Sequence, residues 1–269
     1  MNFSKKLHVL LTNDDGIESA GLRYLWEGLK DNVDITVIAP DKERSGSGAA
    51  ATLDRIVITP TSWYDTTTKA YKVSGTPVDC VRAGLSILLP TPPDMILSGI
   101  NHGTNSGRTI VFSGTIGGVI EGVLRNIPGI AFSYWNYDTS DFGHTAKYIW
   151  PIVDYLSKQT MPHGSFYNVN FPKHLDQEIK GLKVVPHGFS NWIEQPEPFP
   201  SEEGHYSMRG VWVDHNEPEG TDVHYLKQGY VTASPIHIAQ LTDFAVLDNH
   251  KEPFERSFQE HLKTPLFMH

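Results

Sequence analysis

The stretch LHVLLTNDDGIESAGLRYLWEGLKDNVDITVIAPD, residues 7–41, decides how this chain folds. Leu7 to Leu11 is a short, nearly continuous apolar run, the pattern of a strand covered on both faces. Leu22, Leu25, Trp26 and Leu29 then recur at i, i+3, i+4 and i+7, one apolar stripe on a helix that starts at Ile17 or Ala20 and reaches Leu29. A second apolar run, Ile35 to Ala39, is ended by Pro40. Strand, helix and strand at this spacing make a βαβ unit, which is right-handed almost without exception and builds parallel sheets.

The pattern repeats downstream. Thr76 is placed as an N-cap with Pro77 at the first helical position and Asp79 in the first turn, and Val78, Val81, Leu85 and Leu88 share a face of that helix. Met95 to Leu97 reads as a strand, Thr115 to Asn126 as a glycine-rich helix, and GIAFSY, 129–134, as another strand. The first 135 residues therefore read as an open α/β sheet. Beyond Trp135 the sequence predicts a helix near Ala146 to Leu156, a strand in FYNVNFP and a C-terminal amphipathic helix in EPFERSFQEHL. The segment 188–210, rich in Pro, Gly and aromatics, is expected to form long loops or hairpins that cover a site or join subunits.

Bulk composition narrows the function. A chain of 269 residues fits one large domain, and 39% hydrophobic content with 20% charged residues is that of a globular protein. A net charge of -9 argues against binding of nucleic-acid polymers, which needs a basic stripe to release counterions. One cysteine, Cys80, leaves no disulfide framework and no thiolate-rich zinc site, and it falls mid-helix as a buried structural thiol. The N-terminal apolar run is too short for a signal-peptide core, and no stretch approaches the roughly 20 apolar residues of a membrane span. The expectation is a cytoplasmic protein.

In an open parallel sheet, ligands bind outside the carboxyl ends of the strands. Three such ends carry unusual loops: TNDDG, PDKERSGSG and SGINHGTNSG. They offer Asp14 and Asp15, then Ser45 or Ser47, then Asn101 or Asn105. Two carboxylates with a hydroxyl and an amide oxygen suit a hard cation, Mg²⁺ or Mn²⁺, better than Zn²⁺. The adjacent acids could also serve only as a capping turn before the helix, but Gly16 supplies the permissive position that lets neighbours converge. Ser113, Gly114 and Thr115 lie where a helix begins, which suits either an N-cap or a phosphate. There is no G-x-x-x-x-G-K-[ST], no G-x-G-x-x-G after the first strand and no D-x-D nucleophile pair.

Taken together, LLTNDDGIESAGL, VIAPDKERSGSG, VSGTPVDCV, ILSGINHGTNSG, SGTIGGVIEG and GYVTASP resemble the SurE family of stationary-phase survival proteins, in the family's own order. The resemblance implies a single domain over 1–269. Within it, 1–135 would form a three-layer, Rossmann-like core with a mostly parallel sheet and the metal site, and 136–269 the rest of the core with lid and oligomerisation hairpins. It implies a 5′-nucleotidase or acid-type phosphatase, releasing phosphate from nucleoside 5′- or 3′-monophosphates, with one divalent ion and a homodimer or homotetramer. By position, the implied metal ligands are Asp14, Asp15, Ser45 and Asn101, with Asp14 and Asp15 also catalytic. The implied substrate contacts are Asn101, Asn105, Gly107, Ser113, Gly114 and Thr115. One departure stands out: where the family commonly has a Gly-His-Ser step, this chain has Gly48, Ala49 and Ala50, then Ala51 and Thr52. That departure motivates an alternative, a non-catalytic nucleotide-binding or regulatory module.

Overall fold

The structure is a computed structural model, and it describes residues 6–137, 141–173, 179–200, 203–208, 210–238 and 241–262. β1 (His8–Thr12) shows why its sequence is apolar without alternation. Val9 and Leu11 belong to the core under one face of the sheet, and Leu10 to the core under the other. α1 (Ala20–Glu27) is capped by Ser19, whose Oγ accepts the Leu22 N–H at 3.4 Å. Its stripe is buried as expected, although Leu29 packs into the core from just beyond the helix end.

β2 (Asp34–Pro40) pairs parallel with β1. β3 (Ile58–Thr61) and β4 (Lys69–Val73) form an antiparallel edge pair beside β2 that the hydrophobic pattern did not predict. Their residues are mostly half-buried or exposed and Pro60 interrupts the run, so the signal of a covered strand is missing. α2 (Pro77–Ala83) has the capping box read from Thr76 and Asp79, then continues into a π-type turn over 84–88 that carries Leu85 and Leu88.

β5 (Met95–His102) runs five residues past the expected end at Leu97. Gly99, at φ +124°, sits in a register shift between Ser98 and Asn101 that lets the strand continue through a sequence reading as a loop. α3 (Gly114–Val123) stops three residues before Asn126, which takes φ +64° in the turn beyond it. β6 (Gly129–Tyr134), α4 (Gly143–Ser157) and β7 (Ser165–Phe171) complete the core where the sequence predicts them.

β8 (Leu182–Val184) leads into an arm of short hairpins: β9 (Asn191–Glu194), β10 (Glu197–Pro198), β11 (Tyr206–Ser207) and β12 (Gly210–Val213). β9 pairs antiparallel with β12, and β10 with β11. α5 (Asp222–Lys227) and β13 (Val231–His237) return the chain to the sheet. Among the described residues the main sheet has nine strands in the order β3-β4-β2-β1-β5-β6-β7-β13-β8. Its centre is parallel, with α1 packed beside α4 and α2 beside α3, one pair on each face. α6 (Phe244–Leu262) is helical as expected, and every residue from 244 to 260 is exposed. Among the described residues no helix is long and apolar enough to cross a membrane.

Candidate active site

The carboxyl ends of β1, β2 and β5 bring three loops to one rim of the sheet, against the start of α3. The turn after β1 is built by Asn13, whose Nδ2 donates to the Gly16 carbonyl at 3.0 Å and to Ser19 Oγ at 2.7 Å. Gly16 takes φ +97°, which an L side chain rarely adopts. Asp14 is buried at 3% exposure, and its Oδ1 accepts a 2.5 Å hydrogen bond from Thr115 Oγ1 at the start of α3. A Cβ on Gly114 would stand 2.8 Å from Asp14 Cβ and 2.6 Å from Ser47 Oγ, so only glycine lets the helix approach this closely. The Arg44 N–H donates to the Asp14 carbonyl at 2.7 Å and the Gly48 N–H to the Phe112 carbonyl at 3.0 Å, fastening the serine loop on both sides.

A cavity of about 280 Å³ opens at this rim, and Asp14, Ser45, Asn101, Asn105 and Ser113 line it. Asp15 sits at its edge, where Oδ2 accepts the His102 N–H at 3.2 Å. Burial raises the Asp14 carboxyl above its ordinary value, against the lowering effect of the Thr115 hydroxyl and the N–H groups at the start of α3. Asp15 is pushed up to about 7, first by burial and then by the charge of Asp14. Among the described residues, neither acid is ion-paired to a lysine or arginine. Adjacent buried acids without a cation are unfavourable, and a bound divalent ion would reverse both shifts. The other donors are oxygens as well. Asn101 Nδ2 donates to the Gly103 carbonyl at 2.9 Å, which leaves Oδ1 as its acceptor, and Ser45 donates its hydroxyl to Glu43 at 2.8 Å. The nominated donors are all oxygens, two carboxylates with an amide and a hydroxyl, a set that fits Mg²⁺ or Mn²⁺ rather than zinc.

Residues 9–194 match the family model described as Survival protein SurE. The chain belongs to the SurE family. A 5'-nucleotidase SurE of Protochlamydia amoebophila is 39% identical over 256 residues, covering 94% of this chain and 98% of the relative. A 5'-nucleotidase SurE of Christiangramia forsetii is 38% identical, covering 88% of this chain and 92% of the relative. The crystal structure of the SurE protein from Aquifex aeolicus superposes with a TM-score of 0.78 at 34% identity, over 92% of this chain and 99% of that one.

Within this SurE site, the structure sorts the residues that the sequence nominated. Asp14, Ser45 and Asn101 share the cavity, with Asp15 beside it. Asn105 reaches the cavity but spends its Nδ2 on Ser133 Oγ at 2.8 Å, and its backbone is held by Asn168 and Asn170 from β7. Ser113 lines the cavity while capping α3 through the Ile116 N–H at 3.3 Å. Thr115 faces Asp14, and Gly114 packs against it. Gly107 is elsewhere: its N–H donates to Asp222 Oδ2 at 3.0 Å, and its Cα packs under the Ser190 carbonyl. Gly107, nominated as a phosphate contact, is not among the residues that line the cavity, and its N–H is already taken within the protein. The sequence reading missed the far wall, formed by Tyr137, Asn191 and Trp192 with Phe112 at the mouth. The only signal for it was the aromatic richness of the segment expected to cover a site.

Proposed function

We propose that this chain is a divalent-metal-dependent phosphomonoesterase that hydrolyses nucleoside 5′- and 3′-monophosphates to nucleoside and phosphate. The observation that carries the reading is the pair of acids, Asp14 and Asp15, that have no cationic partner among the described residues and stand at a cavity shared with Ser45 and Asn101. The names of the SurE relatives support the reaction class. Asp14, Asp15, Ser45 and Asn101 would hold one Mg²⁺ or Mn²⁺. Such an ion supplies Lewis acidity and a water of lowered pKa.

The chain's own groups do the rest. Asp14, the acid that lines the cavity, accepts the proton of the attacking water. The positive end of α3 lies beside it, and Ser113 at that helix start faces the cavity to receive a phosphate oxygen. The aromatic far wall gives a planar base a surface to lie on. With α6 exposed from 244 to 260, a second copy of the chain is the partner that covers it, giving a homodimer or homotetramer, and the working compartment is the cytoplasm. Phosphate release from a panel of nucleoside monophosphates, with Mg²⁺, with Mn²⁺ and with chelator, tests the function. Metal-dependent release supports it. Nucleotide binding without release overturns it in favour of a regulatory module, the role that Ala49 and Ala50 would suit.

A further inference from the structure

Two carboxylates outside the rim accept almost every N–H of one short segment. Glu217 takes the Phe189 N–H at 2.9 Å, the Ser190 N–H, and the Thr221 hydroxyl at 3.3 Å. Asp222, fully buried at the first turn of α5, takes the Gly188 N–H at 2.7 Å and the Gly107 N–H at 3.0 Å. The Ser190 carbonyl in turn accepts the Arg108 N–H at 2.9 Å. Segment 188–190 is thus locked both to 217–222 and to 107–108.

The residues next in the chain after each locked segment line the cavity. Asn191 and Trp192 come directly after Ser190 and form the far wall, while Thr109 and Ser113 come after Arg108 and line the cavity, with Phe112 at its mouth. Trp192 meets Tyr137 edge to face at 5.3 Å and Trp212 at 6.1 Å, so a shift of segment 188–190 would carry the whole aromatic wall with it. A Cβ on Gly188 would stand 2.2 Å from Glu217 Oε2, and one on Gly107 2.3 Å from the Ser190 carbonyl oxygen. Small residues stand on each side of the lock, and the spacing it sets is tight.

We propose that Asp222, supported by Glu217, is a positioning residue that fixes the aromatic wall around Trp192 at the distance from the acid rim that a nucleotide's base requires. The inference rests on the proposed nucleotidase function and deepens it: base recognition is set from α5, away from the reacting atoms. Asp222 touches neither phosphate nor metal donor. It acts through the two backbone segments it joins.

The test compares the intact protein with Asp222→Asn, Trp192→Ala and the double variant. Each is assayed for kcat/KM with Mn²⁺ on a nucleoside 5′-monophosphate and on ribose 5-phosphate, which has no base. The ratio of the two values is expected to fall about tenfold in Asp222→Asn, mainly through KM for the nucleotide. It is expected to fall similarly in Trp192→Ala and no further in the double variant, because both changes act on one wall. Should Asp222→Asn not fold, Glu217→Gln, on the half-buried partner, is read in the same way. An unchanged ratio in a folded variant, or equal loss on both substrates, overturns the positioning role. An additive double variant also overturns it. If the intact chain releases phosphate from neither substrate, the function beneath the inference has failed, and the inference fails with it.

Discussion

The two ends of the sheet both carry a cavity, and they differ in what their polar groups lack. At the amino ends of β1, β2 and β4 lies the larger one, about 420 Å³, lined by Lys6, Lys30, Lys69, Asp34 and Asp65 among others. Several of its polar groups are met locally: Asp65 accepts the Thr67 hydroxyl and Thr68 N–H, the His8 ring bonds Thr36, and Lys30 lies 4.9 Å from the centre of the Trp26 ring. At the carboxyl ends the cavity is smaller, about 280 Å³, yet Asp14 in it and Asp15 beside it have no cationic partner among the described residues. Size does not select the functional end. On the proposed reading unmet charge does, because a buried carboxylate without a cationic partner costs several kcal/mol that a bound ion would restore.

Asp14→Asn should sharpen this contrast most. Phosphate release is expected to fall at least about a hundredfold with the fold retained by circular dichroism, and chelation of the intact protein should do the same until Mn²⁺ or Mg²⁺ is returned. Undiminished metal-dependent turnover in Asp14→Asn would break the contrast. Gly114→Ala comes next, since its methyl would meet Asp14 and Ser47 at 2.8 and 2.6 Å. The expected cost is about 1–3 kcal/mol of stability with roughly a tenfold loss of activity, read by thermal melting and by rate.

A third effect depends on pH. The Asp15 carboxyl, ordinarily near 3.8, is pushed up to about 7 in the folded chain. Between those values the folded state holds a proton that the unfolded chain has released, so this group's contribution to stability falls as pH rises through that window. Asp15→Asn should therefore stabilise the metal-free protein more at pH 8 than at pH 5. The gain at pH 8 is expected to be at least about 1 kcal/mol, or roughly 2–4 °C in Tm for a chain of this size. Equal gains at both pH values would contradict the assignment of burial and mutual repulsion as the cause. The smallest effect belongs to the other end: Lys69→Ala should leave turnover within about twofold of the intact chain in the same assay.

The same contrast separates what the sequence reveals from what it hides. β1, α1 and β2 are legible because both faces of the strands are covered, leaving unbroken apolar runs, and because one stripe of α1 is buried. The edge strands β3 and β4 are not, since half-exposed residues carry no such pattern. Asp14 and Asp15, with Ser45 or Ser47 and Asn101 or Asn105, could be nominated because parallel strands deliver their carboxyl-end loops to one rim, and the family resemblance then singled out Ser45 and Asn101. Trp192, Glu217 and Asp222 could not, because they lie in segments with no periodicity and are tied to the rest by distant pairs such as Gly107 and Asp222, 115 positions apart in the chain. The place of Gly107 is hidden for a related reason. A glycine beside a candidate ligand looks like a phosphate contact until the distant carboxylate that takes its N–H is known.

The most direct measurement is the anomalous difference map of a crystal soaked in manganese. One peak is expected at the rim, within coordination distance of oxygens from Asp14, Asp15, Ser45 and Asn101, with the Ser45 hydroxyl turned away from Glu43. A map with no peak there, or with manganese bound only at the lysine-lined end of the sheet, would contradict the proposed metal site.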